Sequence, residues 1–204
     1  KKGQFFEKTK TKNYTKIKMI IESIVSTISE KGSVNFAPFG VTKNKKEIII
    51  SPYVPSTTLQ NLRSNNCAVV NYVDDANFYV NCIIGEKKFK KKKAESINGF
   101  YLQDTLSFDE VIVQKIIEDS VRPKFICKIV KSVFKKRYEG HNRANASIIE
   151  ACILASRIGM ISKRKILHEL EYLSIGVEKT SGESEEIAWK KINSFILKKL
   201  NEKK

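Results

Sequence analysis

Histidine is nearly missing. His141 and His168 are the only two in 204 residues, so no histidine-rich metal site is expected. Cysteine is sparse as well: Cys67, Cys82, Cys127 and Cys152 are far apart, lie in apolar surroundings and show no paired spacing that suits zinc. They read as reduced core residues, and no metal is expected. No apolar run approaches the roughly 20 residues of a membrane-spanning helix, and residues 1–18 have no apolar centre of the kind a secretory signal needs. The expectation is a soluble, cytoplasmic protein with no membrane partner. No glycine-rich dinucleotide fingerprint follows a strand, so a separate Rossmann site is not expected. Acidic residues are also short, with 22 Asp+Glu against 38 Lys+Arg, for a formal net charge of +16. That balance calls for an anionic partner without choosing among nucleic acid, a nucleotide cofactor and an acidic surface.

What is present is enough for a globular fold, with 41% hydrophobic residues. Residues 1–18 are a basic, irregular lead-in. Met19 to Ile28 is rich in β-branched residues and predicts a strand. A turn at Glu30-Lys31-Gly32-Ser33 leads into a second strand, Val34 to Val41, and a turn over Lys43 to Lys46 into a third, Glu47 to Ile50. A short helix, Thr58 to Ser64, stops at Asn65-Asn66, and Cys67 to Val73 returns as a buried strand. The segment after Asp74-Asp75, carrying Phe78, Val80 and Ile83, is too short to divide between helix and strand. Glu86 to Ser96, with its lysine run, reads as a mobile solvated loop, and Lys124 to Tyr138 as a long strand with one partly wet face.

Beyond Gly140 the apolar period changes from two to about 3.6 residues. Three helices follow. The first opens at Asn142-Arg143-Ala144, the second is capped by Ser162 and ends at Gly176, and the third starts at Ser184 or Glu185 and carries Trp189 as a core residue. Its acids at the start and lysines at the end suit the helix dipole. The expected organisation is a lead-in (1–18), a barrel domain (19–139) and a helical unit (140–204).

Two stretches carry chemistry. In Gly32-Ser33-Val34-Asn35-Phe36-Ala37-Pro38-Phe39-Gly40, a turn is followed by a rigid proline among small residues, where backbone can meet a flat ligand. In Pro55-Ser56-Thr57-Thr58, hydroxyls gather at a helix start, with Thr57 and Gln60 spaced as a capping box. A helix start offers unpaired N–H groups and partial positive charge, which suit a phosphate. Each stretch alone is equally well a turn and an N-cap.

In this order, and followed by Val70-Asn71-Tyr72-Val73-Asp74-Asp75, Arg122-Pro123-Lys124-Phe125 and Gly140-His141-Asn142-Arg143-Ala144, they resemble flavin reductase-like split barrels. More narrowly, they resemble an archaeal family known only as a domain of unknown function. The resemblance runs from about Ile20 onward. It implies an α+β fold: an antiparallel split β-barrel that binds FMN, then a small helical unit, assembled as a homodimer with flavin at the subunit interface. Carried over residue by residue, Asn35, Ala37, Pro38, Phe39 and Gly40 should line the flavin ring, and Ser56, Thr57 and Thr58 should hold the phosphate or ribityl chain. Asn61 and Asn71 are second-choice contacts, with capping and strand-edge hydrogen bonds as the alternative. Arg143, a cation in the first turn of a helix, is the basic residue expected to meet an anion, against a salt bridge as its other reading. Arg122 and Lys179 are weaker candidates of that kind.

Three readings follow. The leading one is an FMN-dependent redox protein with NAD(P)H or another electron donor, substrate open and no catalytic residue assigned. The second is a flavin-binding module without turnover, since no acid–base pair or activated nucleophile stands out. The third, nucleic-acid binding through the basic helices, rests on charge alone, because no cluster of exposed aromatics is present to stack bases.

Overall fold

The computed structural model describes residues 19–202, so the expected lead-in, 1–18, lies outside the described residues. Within them the order is β1 (Ile20–Ile28), β2 (Val34–Lys43), β3 (Glu47–Ile50), α1 (Thr57–Asn65), β4 (Cys67–Tyr72), α2 (Asn77–Ile84), β5 (Lys91–Lys93), β6 (Phe100–Leu102), β7 (Ser107–Ile117), β8 (Lys124–Phe134), α3 (Arg143–Ser156), α4 (Lys163–Thr180) and α5 (Glu183–Glu202). Six strands close an antiparallel barrel in the order β1-β2-β3-β8-β7-β4, and β5 and β6 form a separate two-stranded sheet.

β1 shows why the chain folds this way. Its β-branched residues favour a pleated strand, and from Ser23 to Ile28 every residue is buried. Val25 points into the barrel core with Val41, Ile48, Ile50, Leu62, Val70 and Phe125. Ile24 points the other way, into a second core that joins Phe36 of β2 to α2, α3, α4 and α5. Burial on both faces takes Ser23 and Ser26 out of water as well, and their hydroxyls donate to Phe39 O and Phe100 O instead. Each fully buried aliphatic side chain there contributes roughly 1.5–3 kcal/mol. The helices therefore share a core with the barrel wall. No helix among the described residues is long and apolar enough to cross a membrane.

Several elements depart from the sequence reading. The ambiguous segment after Asp74 is helix α2, whose first amide, that of Asn77, donates to Asp75 Oδ1 at 2.8 Å. The lysine-rich stretch is only partly a loop, because Lys91 to Lys93 pairs with Phe100 to Leu102. Phe89 anchors its start against Phe36 and Phe78, with centroids 5.3 and 5.4 Å away. Buried Glu110 holds its end by accepting from the Glu95 and Ser96 amides. β8 stops at Phe134, four residues early, where the Lys135 and Lys136 amides turn to Leu106 O. Helix α4 runs through Gly176 to Thr180. That glycine is no stop signal; it lets α3 approach, since a Cβ there would lie 2.5 Å from Ser147 Oγ. Trp189 packs partly buried against the helical core.

Candidate functional site

The site begins where the sheet opens. β2 pairs with β1 from Val34 to Thr42, but it meets β3 only at Thr42 and Lys43. From Asn35 to Gly40 its second edge has no strand against it among the described residues. Proline fits such an edge, where a missing N–H need not break a ladder. Asn35, Ala37, Pro38, Phe39 and Gly40 form one wall of an open cleft of about 710 Å³, within the roughly 300–1,000 Å³ usual for small-molecule sites.

The mouth of α1 opens on the same cleft. After Pro55 the backbone is extended at Ser56 (φ −155°, ψ 153°), which makes Ser56, not Thr57, the N-cap; its hydroxyl accepts from the Leu59 amide at 3.3 Å. The expected Thr57/Gln60 capping box does not form, because Thr57 is already helical. The amides of Thr57 and Thr58 have no acceptor among the described residues. Thr58 is buried and accepts from Asn35 Nδ2 at 3.1 Å, and Asn35 Oδ1 in turn accepts from Lys87 Nζ at 3.2 Å. A polar chain thus links the open edge, the helix mouth and a lysine.

Arg122 reaches the cleft from the β7–β8 connection. Asp119 Oδ1 accepts from the Val121 and Arg122 amides, which lowers its carboxyl pKa and folds the turn. The turn is stitched to the segment before α1 through Val54 N to Val121 O at 3.0 Å and Arg122 Nε to Ser51 O at 2.9 Å. The Arg122 guanidinium lies 4.9 Å from the Tyr53 ring centroid and forms no ion pair among the described residues.

The remaining wall is α3 with the turn after it, contributing Ile149, Cys152, Ile153, Ser156, Arg157 and Met160, together with Tyr79 and Ile83 of α2. Facing it is Glu22 of β1, beside Gly40, its cross-strand partner. A Cβ at Gly40 would lie 2.7 Å from Ile20 Cγ2 and 3.1 Å from Glu22 Oε1, so the glycine leaves room for both side chains. Glu22 is open to solvent along the cleft, yet the surrounding walls displace enough water to raise its carboxyl pKa. Glu150 adds to the rise, while Arg122 and Arg157 oppose it. Burial also pushes the Cys152 thiol up to about 12, which leaves it protonated and a poor nucleophile near neutral pH. No group of three or more potential metal ligands occurs among the described residues.

Of the eleven main residues singled out from sequence, eight line this cleft: Asn35, Ala37, Pro38, Phe39, Gly40, Ser56, Thr57 and Thr58. Of the two weaker candidates Arg122 lines it, and Lys179, exposed in the last turn of α4, does not. Three of the eleven do not. Asn61 is buried and donates to Thr27 Oγ1, tying α1 to β1. Asn71 is buried between Ile24 O, to which it donates, and the Leu102 amide, from which it accepts. Arg143 is exposed at the start of α3, where solvent screens it from the helix dipole, and the arginine in the cleft is Arg157, just past the other end of that helix. Sequence reading missed Glu22, Tyr79, Lys87 and Arg157. Only Glu22 left a signal, as a carboxylate inside an apolar strand.

A family described as a protein of unknown function (DUF447) matches the chain twice, its N-terminal domain over residues 21–136 and a second region over residues 142–194. No curated protein matches. Among solved structures, an FMN-bound protein of the same family from Methanosarcina mazei superposes with a TM-score of 0.74 at 19% identity, covering 87% of this chain and 95% of that one. A flavoredoxin from Methanosarcina acetivorans gives 0.51 at 17% identity, covering 65% and 78%. A 2-nitrobenzoate 2-nitroreductase from Pseudomonas fluorescens gives 0.51 at 20% identity, covering 59% and 67%. At such identities the likeness establishes the fold, an antiparallel split barrel with helices packed on it. With both regions matched in order from β1 into α5, the chain belongs to the DUF447 family of proteins of unknown function.

Proposed function

We propose that this protein binds FMN in the cleft and works as a flavin-dependent redox protein. One observation carries the reading: an unpaired strand edge and an unpartnered helix mouth, each suited to a different end of FMN, open on the same cleft. The edge from Asn35 to Gly40 offers backbone groups to a flat, polar-rimmed ring. The Thr57 and Thr58 amides, the Ser56 and Thr57 hydroxyls and the Arg122 guanidinium offer donors and charge to a phosphate. Lys87, held by Asn35, adds a second cation. The FMN-bound family member from Methanosarcina mazei supports the same reading. When bound, FMN supplies hydride chemistry; these residues orient it and offset the phosphate charge.

The rim of the cleft supports a homodimer with the flavin at its interface. Tyr53, Val54, Val121 and Met160 are 56%, 44%, 59% and 79% exposed, an apolar border that a second copy would cover. The visible absorption spectrum of the purified protein tests the cofactor: oxidised flavin should be retained, or taken up on adding FMN and kept through desalting. A protein that stays colourless after that treatment refutes the reading. Reduction of the bound FMN by NADH or NADPH would mark a reductase, and light scattering in solution tests the dimer.

A further inference from the structure

On the α3 side of the cleft, three polar side chains lie within electrostatic reach of one another but make no hydrogen bond or ion pair among the described residues. Tyr79 is 3% exposed, lines the cleft, and its hydroxyl makes no hydrogen bond among the described residues. The Arg157 guanidinium forms no ion pair, and the Glu22 carboxyl makes no hydrogen bond, among the same residues. The Tyr79 ring is buried, but its hydroxyl is not among the sealed, unpartnered polar atoms, so it is the part of the side chain that a ligand or water in the cleft can meet. The wall around these groups is aliphatic, from Ile149, Ile153 and Met160. The helix mouth and Arg122, which suit a phosphate, belong to other elements of the cleft.

We propose that the α3 wall is a second binding subsite that takes a small organic carboxylate, held by Arg157 and Tyr79, with Glu22 as the group that takes up a proton when it binds. The charge arithmetic decides the ligand class. Arg157 supplies a cation and Tyr79 a neutral donor, which together suit an anionic head, and the aliphatic wall suits an apolar body. Glu22 sets the condition. Its charged neighbours are Arg122 from the β7–β8 connection and Arg157 and Glu150 from the α3 side, and it also faces Tyr79 of α2. Withdrawal from water already raises its pKa, and a carboxylate arriving beside it raises the pKa further. Binding therefore takes up a proton and weakens as pH climbs through the titration of Glu22. The subsite rests on the flavin reading for the identity of its neighbour, but not for its own residues.

Benzoate is the probe, titrated by calorimetry into FMN-loaded and FMN-free protein in two buffers of different ionisation heat. Saturable binding with net proton uptake is expected, with benzamide at least about tenfold weaker. R157M should weaken benzoate by about ten- to a hundredfold and Y79F by about fivefold, each leaving the FMN dissociation constant within about twofold. E22Q should abolish the proton uptake and tighten benzoate above neutral pH, a readout that a merely structural role for Glu22 would not move. Equal affinity for benzoate and benzamide, displacement of FMN by benzoate, or R157M and Y79F binding as tightly as the parent would overturn the subsite. Benzoate binding with these dependences on a protein that never holds FMN would keep the subsite and remove the flavin reading instead.

Discussion

Two polar clusters in this molecule are built from similar residues and do opposite things. Around Asp109 of β7, every group is matched. Its carboxylate accepts from Lys43 Nζ at 2.6 Å, the Tyr72 hydroxyl at 2.7 Å and the Ser132 hydroxyl at 2.5 Å, drawing β2, β4 and β8 together. In the cleft, Glu22, Tyr79, Arg122, Arg157 and the first amides of α1 include charges, a phenol and backbone donors, yet no ion pair closes among them. The Glu22 carboxyl, the Tyr79 hydroxyl and those amides make no hydrogen bond among the described residues. The first cluster is closed, so its members act on stability. The second is open to solvent, so its members should act on binding.

The contrast can be broken most sharply at Asp109. D109A strips the acceptor from a lysine and two hydroxyls and should destabilise the fold by about 3 kcal/mol, read as a shift in the urea midpoint. The protein that remains folded should bind FMN normally. N71A is next, because it orphans the Ile24 carbonyl and the Leu102 amide; a loss of about 2 kcal/mol is expected, again with no change in flavin affinity. A large affinity loss in either variant would erase the distinction between the clusters. R122M tests the other side. It should weaken FMN by about tenfold, the equivalent of roughly 1.4 kcal/mol, with stability lowered by no more than about 1 kcal/mol, since the exposed side chain gives up only its bond to Ser51 O and its stacking on Tyr53.

The smallest effect concerns Glu22. Its folded pKa is raised above the ordinary value of 4.5, so the folded state holds its proton more tightly than the unfolded chain does. Stability from this group is present at acid pH and is lost as pH rises from about 4.5 through the folded value. E22Q should flatten that slope and raise the melting temperature slightly near neutral pH. A steeper slope in the variant would mean that another group is responsible.

The same contrast explains what could be read in advance. Asn35 to Gly40 and Ser56 to Thr58 were legible because each is a local device, a proline on a strand and hydroxyls ahead of a helix, written in consecutive residues. Asn61 and Asn71 carry the same signature as ligand contacts, a polar residue in an apolar run. Only the burial of each beside another element's carbonyl, amide or hydroxyl shows that it is structural. Arg143 lies outside the cleft for a related reason: the dipole argument placed a cation on α3 but said nothing about which end of the helix lines the cleft.

By itself the amino-acid sequence determined β1 to β4 and β8, α1, the three C-terminal helices and the two local devices of the proposed FMN grip, since β-branched alternation, helical periodicity and caps act over a few residues. β5, β6, β7 and the choice of helix for α2 were left to the tertiary structure. The tertiary structure alone decided that Glu22, Tyr79, Lys87, Arg122 and Arg157 share one cleft. Those residues span most of the chain, and what joins them is the short β2–β3 pairing, the packing of α2 on β2 and that of α3 on α2, which are non-local contacts that no window of sequence contains.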